Sequence, residues 1–270
     1  MSIISASSQS DAPRDLGDIE VKPIPLPIRQ QDCNWYHVMD VPGIGVTPGL
    51  WDLRSQFDEY IGHVDLKGKT VLDMGTASGF LSFASEWAGA REVVSFDIDI
   101  GERQKLLPFK NSSYYRDHAA WAERRSRDFD AWKRAYWCAH HAYGSKARVV
   151  YGDIYNLPSN LGLFDVVLCC SVLEHMADPI SAIASMARHA ADRLVLAVWI
   201  PNLEEKAPIA WFLGSADRPE AAGIFWAYSL KVYQEIFAML GFEIESSLTG
   251  SFKLSHGAPS PKTALVARRK

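Results

Sequence analysis

A glycine turn between a buried strand and a helix is the feature that most constrains this chain. Residues 71–80 read Val-Leu-Asp-Met-Gly-Thr-Ala-Ser-Gly-Phe, an apolar run that breaks at Gly75 and continues as a helix after Gly79. Glycine lacks a Cβ atom, so the backbone can turn sharply and a ligand can approach the amino terminus of the helix. Asp73 adds a negative charge, which repels a pyrophosphate and attracts an ammonium group. The turn therefore predicts a site for a cationic, amino-acid-bearing nucleoside.

Apolar runs alternate with longer helical segments after this turn. The predicted strands lie near residues 69–74, 92–97, 147–151, 164–170 and 193–200. Alternation of this kind is typical of a parallel sheet with helices on both faces. The run Val166–Cys170 is continuously apolar, as in a strand that is buried on both sides. The sequence therefore predicts an α/β fold with a doubly wound sheet.

The carboxyl-terminal part of the chain departs from this pattern. A helix is predicted over 228–240 and ends at Gly241, and two strands follow near 242–245 and 263–267. Two closing strands joined by a loop predict an antiparallel hairpin at the edge of the sheet.

The rest of the chain divides into a leader and one domain. Residues 1–30 are rich in Ser and Pro and predict a flexible or extended leader, while 31–270 show no second domain boundary. Within the domain, 31–68 combine turn formers with large aromatic residues and predict an ordered cover segment.

Two insertions interrupt the alternation, at 101–146 and 201–223. The first predicts an amphipathic helix or helix pair, with aromatic residues on one face and charged residues on the other. Its aromatic face either packs on the core or lines a substrate pocket. The second contains Trp211 and Phe212 and is expected to lie over the carboxyl edge of the sheet, where ligands bind in open α/β folds.

Composition argues against several classes of partner. The formal net charge is −4, so there is no global electrostatic reason to expect a nucleic acid or an anionic membrane. No apolar run reaches the length of a membrane-spanning helix, which is roughly 18 residues. Four cysteines lack the spacing of a zinc site, and we expect them to be reduced in a cytoplasmic protein.

Acidic or polar residues follow each of the next predicted strands. Asp97 can accept hydrogen bonds from both ribose hydroxyls, and Asp153 can accept one from an adenine amino group. The fourth strand ends at Ser171, shortly before Glu174 and His175. The alternative for both aspartates is a carboxylate on a surface loop. Because the ends of four parallel strands meet at one crevice, we expect these residues to lie together.

In these motifs the chain resembles the class I S-adenosylmethionine-dependent methyltransferases. The resembling segments are VLDMGTASG, VVSFDID, YGDIYNLP and FDVVLCCSVLEHMADP. A looser likeness of WYHVMDVPGIGVTPGLWDLR links the chain to a subgroup that includes tRNA wobble-uridine carboxymethyl transferases. The resemblance covers residues 69 to about 250. It implies a Rossmann-like, seven-stranded sheet whose last strand is antiparallel.

The resemblance also implies a set of residues that bind S-adenosylmethionine. Asp73 would lie near the methionine amino group, while Gly75, Thr76 and Gly79 shape the turn. Asp97 with Ile98 would hold the ribose, and Asp153 with Ile154 would frame the adenine. Cys170 and Ser171 would contact the methionyl end. Ala77 stands where many members have glycine, and its small side chain should be tolerated.

Two histidines are candidates for a catalytic base. His175 follows the fourth strand on the substrate side of the crevice, and its ordinary pKa lies near neutrality. The alternative for His175 is a helix cap or a hydrogen-bonded core residue. His37 in the cover segment is the second candidate. No spacing of Asp, Asn and His predicts a metal site.

The leading hypothesis is a metal-independent methyltransferase that acts at oxygen or nitrogen of a small molecule with an aromatic or apolar portion. One alternative is modification of a tRNA wobble base, against which the negative net charge argues. Another is an S-adenosylmethionine-binding protein that transfers no methyl group. A dinucleotide-dependent oxidoreductase is disfavoured by the glycine spacing and by Asp73.

Overall fold

A sheet of eight strands forms the centre of the fold. The computed structural model describes residues 14–106, 112–201, 207–215, 217 and 224–270. In chain order, the strands are β1 Asp40–Val41, β2 Gly45–Val46, β3 Trp51–Asp52, β4 Thr70–Met74, β5 Glu92–Ile98, β6 Arg148–Gly152, β7 Phe164–Cys170, β8 Ala190–Val198, β9 Ala210–Phe212, β10 Trp226–Tyr228, β11 Phe242–Leu254 and β12 Pro259–Arg269. Across the large sheet they follow the order β6-β5-β4-β7-β8-β12-β11-β3, while β1–β2 and β9–β10 form separate hairpins.

The strand directions confirm the predicted topology. Strands β4 to β8 run parallel to one another, and β12 pairs antiparallel with both β8 and β11. Strand β4 is central, so a nucleotide crevice opens at the carboxyl ends of β4 and its neighbours. The sheet has one strand more than predicted, because Trp51–Asp52 in the cover segment pairs with Lys253–Leu254 at the edge.

Helices cover both faces of the sheet, as the doubly wound prediction requires. In chain order they are α1 Phe57–Tyr60, α2 Phe80–Trp87, α3 Ser113–Arg116, α4 His118–Tyr143, α5 Pro179–Ala187 and α6 Leu230–Met239. Neighbouring residues of β4 belong to different core clusters. Val71 packs in the cluster that contains α2 and α4, whereas Leu72 packs in the cluster that contains α5 and α6. This explains why the central strands are apolar without alternation.

The first insertion folds as one long helix preceded by a short one. Asp117 caps α4 by accepting a hydrogen bond from the Ala120 amide, and Gly144 ends the helix in the left-handed region with φ +62°. Tyr136 is completely buried against Phe83 of α2. Residues 107–111 of this insertion lie outside the described residues.

The described part of the second insertion contributes β9, which pairs with β10 just after the insertion. The backbone of the hairpin β9–β10 is fixed to the end of β7, because the Phe225 amide donates to the Glu174 carbonyl at 3.1 Å. The Trp226 indole donates to the Ala177 carbonyl at 3.0 Å. Residues 202–206, 216 and 218–223 lie outside the described residues.

The leader is anchored where the structure describes it. Leu16 is completely buried, and the Arg14 guanidinium lies 3.7 Å from the centre of the Phe164 ring. The Val21 amide donates to the Val149 carbonyl of β6 at 2.8 Å. Apolar and charged side chains thus hold parts of residues 14–30 against the domain. Residues 1–13 lie outside the described residues.

None of the helices in the described ranges is both long and apolar enough to cross a membrane.

Candidate active site

The glycine turn at the end of β4 takes a conformation that few side chains permit. Gly75, Ala77 and Gly79 have φ values of +78°, +48° and +94°. The amides of Gly75 and Thr76 both donate to the Phe96 carbonyl of β5, at 2.8 and 3.1 Å. Ala77 thus occupies a left-handed conformation despite its Cβ atom. Many of the resembling proteins have glycine at this position. The turn is held by the neighbouring strand and opens the amino terminus of α2.

Close packing leaves no room for a side chain at Gly75. A Cβ atom built there would lie 2.5 Å from Cγ2 of Val172, which itself lines the cavity described below. At Gly79 the same atom would lie 2.6 Å from the Phe83 ring. Both positions therefore need glycine for space as well as for backbone conformation.

Gly75→Ala should weaken both folding and ligand binding. We expect a loss of about 1–3 kcal/mol in the free energy of unfolding, because the left-handed backbone and the contact with Val172 both oppose a methyl group. Urea unfolding measures this loss, and calorimetric titration with S-adenosylhomocysteine measures binding. Gly144→Ala is the matched control, since Gly144 also has positive φ but a Cβ atom added there would meet no other atom within 4 Å. Equal effects of both variants on ligand binding would contradict the role of Gly75.

Asp97 at the end of β5 connects the turn to the next strand. Its Oδ2 accepts a hydrogen bond from the Ala77 amide at 2.6 Å, and its Oδ1 accepts one from the Ile98 amide at 2.7 Å. Burial raises the pKa of this carboxyl group, and the two amide hydrogen bonds oppose that rise. Asp97 also lines the cavity, so its remaining lone pairs can accept hydrogen bonds from a ligand.

Asp73 lies beneath the turn and does not line the cavity. It is completely buried, and its Oδ2 accepts a hydrogen bond from the Ser82 hydroxyl at 2.6 Å. Burial raises the pKa of the carboxyl group to about 6, although the hydrogen bond from Ser82 opposes the rise. Oδ1 has no hydrogen-bond partner among the described residues. An unpaired buried carboxylate oxygen is costly, and Asp73 places this charge beneath the turn.

The cover segment closes one side of the cavity through Ser78. The Ser78 hydroxyl oxygen accepts hydrogen bonds from the amides of Tyr36 and His37, at 3.2 and 3.1 Å. It also lies 3.3 Å from Nδ1 of His37. The Trp51 indole donates to the Tyr36 hydroxyl at 3.3 Å. The side chains of Tyr36, His37 and Trp51 therefore form a wall fixed to the glycine turn, whereas Arg54 pairs with Asp52 outside the cavity.

The end of β7 supplies the opposite wall. Ser171 has φ +54°, and its hydroxyl lies 2.6 Å from the hydroxyl of Tyr60 in a hydrogen bond that either group can donate. Cys170 and Ser171 both line the cavity, and burial raises the pKa of the Cys170 thiol. The thiol is therefore protonated at neutral pH and presents a small, weakly polar surface.

The third wall lies at the end of β6. Asp153 accepts a hydrogen bond from the Tyr155 amide at 2.9 Å, so its carboxylate is held in a tight turn. Ile154 and Tyr155 line the cavity beside it. Together with Ile98, these residues form a slot with an apolar surface and one acceptor group.

These walls enclose a cavity of about 820 Å³. Nine predicted site residues line it: His37, Gly75, Asp97, Ile98, Asp153, Ile154, Cys170, Ser171 and His175. The cavity is not lined by Asp73, Thr76 or Gly79. These three residues lie on the side of the glycine turn that faces away from the cavity. The helix α4 contributes Trp121, Phe129 and Trp132. The first insertion therefore packs on the core through Tyr136 and lines the cavity through Trp121, Phe129 and Trp132.

Several lining residues were not predicted from the sequence. Tyr60 lies in no motif, whereas Tyr155 and Val172 lie in the resembling segments YGDIYNLP and FDVVLCCSVLEHMADP without a predicted role. Gln104 and Arg125 reach the cavity from the insertion and hydrogen-bond to each other at 2.9 Å. Tyr155 and Val172 could have been found, because each lies within a motif beside predicted site residues.

The two candidate bases have very different environments. His175 is exposed at the mouth of the cavity. His37 is buried, and burial lowers the pKa of its imidazole to about 3. A general base works best when its pKa lies near the working pH, so His37 is unsuited to the base role predicted for it. It is a neutral hydrogen-bonding group in the wall.

Lowering the pH should lower the free energy of unfolding, because His37 is buried in its neutral form. In the unfolded chain its pKa is about 6.5. The folded value is about 3, so the stability that neutral His37 contributes is complete above 6.5 and is lost as the pH falls below it. We expect this contribution to fall by about 2 kcal/mol between pH 7.5 and 5. Urea unfolding of wild type and His37→Gln at both values measures the difference. His256→Gln, which changes an exposed histidine, should keep the wild-type pH dependence; a His37→Gln variant with that same dependence would contradict the account.

Across the described parts of the chain, no three side chains among His, Cys, Asp and Glu converge in a way that could hold a metal ion. The four cysteines are free.

Comparison with known proteins identifies the family. The model of a methyltransferase domain family matches residues 53–247, which is more than half of the chain. The ribosomal protein L11 methyltransferase of Mannheimia succiniciproducens is 35% identical over 82 residues, covering 30% of this chain and 27% of that protein. The Vibrio cholerae protein of the same name is 36% identical over 77 residues, covering 28% and 25%. The chain thus matches about a quarter of the length of these relatives.

Solved structures with a similar fold have low sequence identity. Magnesium protoporphyrin IX methyltransferase from Synechocystis PCC 6803 is 20% identical with a TM-score of 0.47, covering 81% of this chain and 78% of that one. A putative methyltransferase from Bacillus halodurans is 14% identical with a TM-score of 0.49, covering 80% and 99%. Because these scores are below 0.5, the assignment depends on the family match. The chain therefore belongs to the methyltransferase domain family.

Proposed function

We propose that the cavity holds S-adenosylmethionine together with a small-molecule acceptor that has an aromatic or apolar portion, and that the methyl group moves to oxygen or nitrogen. The observation that carries the proposal is the composition of the cavity. Polar groups at three strand ends, Asp97, Asp153 and Ser171, occupy one part, and aromatic side chains of α4 occupy another. Its volume of about 820 Å³ lies in the upper range of small-molecule sites, which is roughly 300–1,000 Å³.

The residues present fit the donor. Gly75 lines the cavity and lets the backbone of the turn come close to a ligand, and Asp73 places a buried carboxylate beneath that turn. In this proposal Asp97 with Ile98 holds the ribose and Asp153 with Ile154 holds the adenine. Cys170 and Ser171 face the methionyl end, and Thr76 and Gly79 support the turn.

When bound, S-adenosylmethionine supplies an electrophilic methyl group on a sulfonium centre. The task of the chain is then to align an acceptor with this group, because orientation alone can contribute a large part of the acceleration. Tyr36, Trp51 and Tyr60 form the wall of the cavity that excludes water from one side. No residue in the described part of the wall needs to act as a covalent nucleophile.

His175 is the proposed base for an acceptor whose nucleophile carries a proton. Its position at the mouth of the cavity lets it pass a proton to solvent. We expect His175→Ala to lower the turnover rate about 100-fold or more with little change in donor affinity. The rate of S-adenosylhomocysteine formation and a calorimetric donor titration measure the two quantities. An unchanged rate would show that another group, or solvent, takes the proton.

A protein acceptor is the second candidate. The partial relatives named ribosomal protein L11 methyltransferases favour it, although the matched segment is short. An aromatic, partly enclosed cavity favours the small molecule. Only the looser sequence likeness supports the tRNA alternative. The cytoplasmic location stays a prediction.

One assay separates these candidates. The protein is incubated with S-adenosylmethionine and, in parallel, with a panel of aromatic alcohols and amines, ribosomal protein L11, or bulk tRNA. We expect S-adenosylhomocysteine to accumulate with members of the small-molecule panel. Accumulation with L11 or tRNA alone would overturn the proposed acceptor class, and donor binding without turnover in any arm would favour a non-methylating binding protein.

A further inference from the structure

A second cavity lies beside the first at the carboxyl edge of the sheet. Its volume is about 270 Å³. Its walls come from the residues after β7, the end of β8, the hairpin β9–β10 and the start of β12. Since β12 is antiparallel, its first residues lie at the same edge as the carboxyl ends of the parallel strands. This is the edge at which open α/β folds bind ligands.

Most of the second cavity is aromatic or aliphatic. Trp226 and Tyr228 have ring centres 6.3 Å apart, and Tyr228 and Tyr233 have ring centres 5.7 Å apart. At the rim, Trp199, Leu213 and Ile224 are 41%, 38% and 44% exposed. When a ligand covers large apolar side chains that are exposed around a concavity, the loss of their contact with water stabilises the complex.

One charged pair interrupts this apolar lining. The Lys262 ammonium and the Glu174 carboxylate form an ion pair, and their side chains are only 6% and 12% exposed. Both residues line the second cavity. An ammonium group has three donors and a carboxylate has several acceptor sites, so each can serve a further partner besides the other. The pair therefore gives an apolar cavity one polar end.

The same pair lies against the first cavity. The Lys262 ammonium is 5.5 Å from the centre of the Trp51 ring, which lines the first cavity. Val172 and His175, which flank Leu173 and Glu174 in the chain, line the first cavity as well. One short turn, Leu173–His175, thus separates the two spaces.

We propose that the second cavity binds a hydroxylated aromatic ring at the far end of the acceptor, whose reacting end lies in the first cavity, with the ring hydroxyl hydrogen-bonded to the Glu174–Lys262 pair. This inference rests on the proposed function and deepens it, since it narrows the acceptor to a hydroxylated aromatic molecule. The cavity is too small for a folded peptide segment and matches one fused ring pair. The aromatic side chains that line the cavity favour a flat aromatic ligand over a branched aliphatic one.

The test uses 2-naphthol as the probe and 2-methoxynaphthalene as its matched partner without a hydroxyl hydrogen. Binding is followed by ligand-observed NMR in the presence of saturating S-adenosylhomocysteine. We expect Ile224→Trp, which fills the rim, to weaken naphthol binding at least about 10-fold. Met239→Trp is the matched control, because Met239 is an exposed apolar residue on α6 outside the cavity. It should bind naphthol as the wild type does.

The polar end is tested separately. The double variant Glu174→Gln/Lys262→Met removes both charges, so neither partner is left buried alone. We expect it to bind the two probes with equal affinity, whereas the wild type prefers 2-naphthol. Equal naphthol binding by Ile224→Trp and Met239→Trp, or displacement of S-adenosylhomocysteine by naphthol, would overturn the inference. Failure of the wild type to bind S-adenosylhomocysteine would instead overturn the proposed function.

Discussion

Replacing Asp97 by alanine should lower the affinity for S-adenosylhomocysteine about 100-fold. Two hydrogen bonds from ribose hydroxyls to a carboxylate are together worth about 3 kcal/mol, and each 1.4 kcal/mol is a tenfold change in affinity. The substitution also frees the Ala77 amide, which now donates to Asp97 at 2.6 Å. Because that amide holds Ala77 in its left-handed conformation, the turn loses part of its preorganisation as well.

Calorimetric titration measures this effect, with two further variants for comparison. Asp97→Asn keeps the shape of the side chain, but its amide nitrogen cannot accept the Ala77 hydrogen bond. We therefore expect Asp97→Asn to lower the affinity for S-adenosylhomocysteine, by less than Asp97→Ala does. Asp192→Ala removes an acid near the beginning of β8, where it pairs with Arg193. That site is at the opposite edge of the sheet, and donor affinity should stay within about twofold. An Asp97→Ala variant that binds as tightly as Asp192→Ala would contradict the donor site.

Breaking the Glu174–Lys262 pair should cause the largest loss of stability. Lys262→Met leaves the Glu174 carboxylate buried without its partner, and such a change costs about 3–5 kcal/mol. Glu174→Gln should be similarly destabilising, because the ammonium group is then left in an apolar wall. The double variant removes both charges, so we expect it to regain most of the lost stability.

Urea unfolding of the four proteins gives the coupling energy of the pair. A coupling of about 2 kcal/mol or more is expected for two groups in contact in an apolar environment. If a single variant fails to fold while the double variant folds, the two charged groups likewise depend on each other for stability. Small, additive losses would contradict a buried and mutually dependent pair.

The central sheet could be predicted from sequence because its signals are local. Strands buried on both faces read as continuous apolar runs, and each of β4 to β7 ends within a few residues of the predicted boundary. The polar residues at their ends then had to meet at one edge of the sheet, because parallel strands share that edge. Asp97, Asp153 and Ser171 were placed by this reasoning alone.

Features that depend on distant parts of the chain could not be predicted. The edge strand β3 has only two residues, and its partner Lys253–Leu254 lies about two hundred positions away. The burial of His37 results from contacts with Ser78 and Phe80, which no pattern near His37 reveals. The second cavity is lined by both Glu174 and Lys262. The sequence around Lys262 predicts only one strand of an ordinary hairpin. Pairing across 88 positions is visible only in the folded chain.

The central claim is that the strand ends around the glycine turn bind the methyl donor. A crystal structure of the protein with S-adenosylhomocysteine tests it most directly. We expect the ribose hydroxyls within hydrogen-bond distance of Asp97, the adenine against Ile98 and Ile154, and the methionyl amino group on the side of Asp73. Adenosyl density elsewhere, with the space above Gly75 empty, would contradict the account.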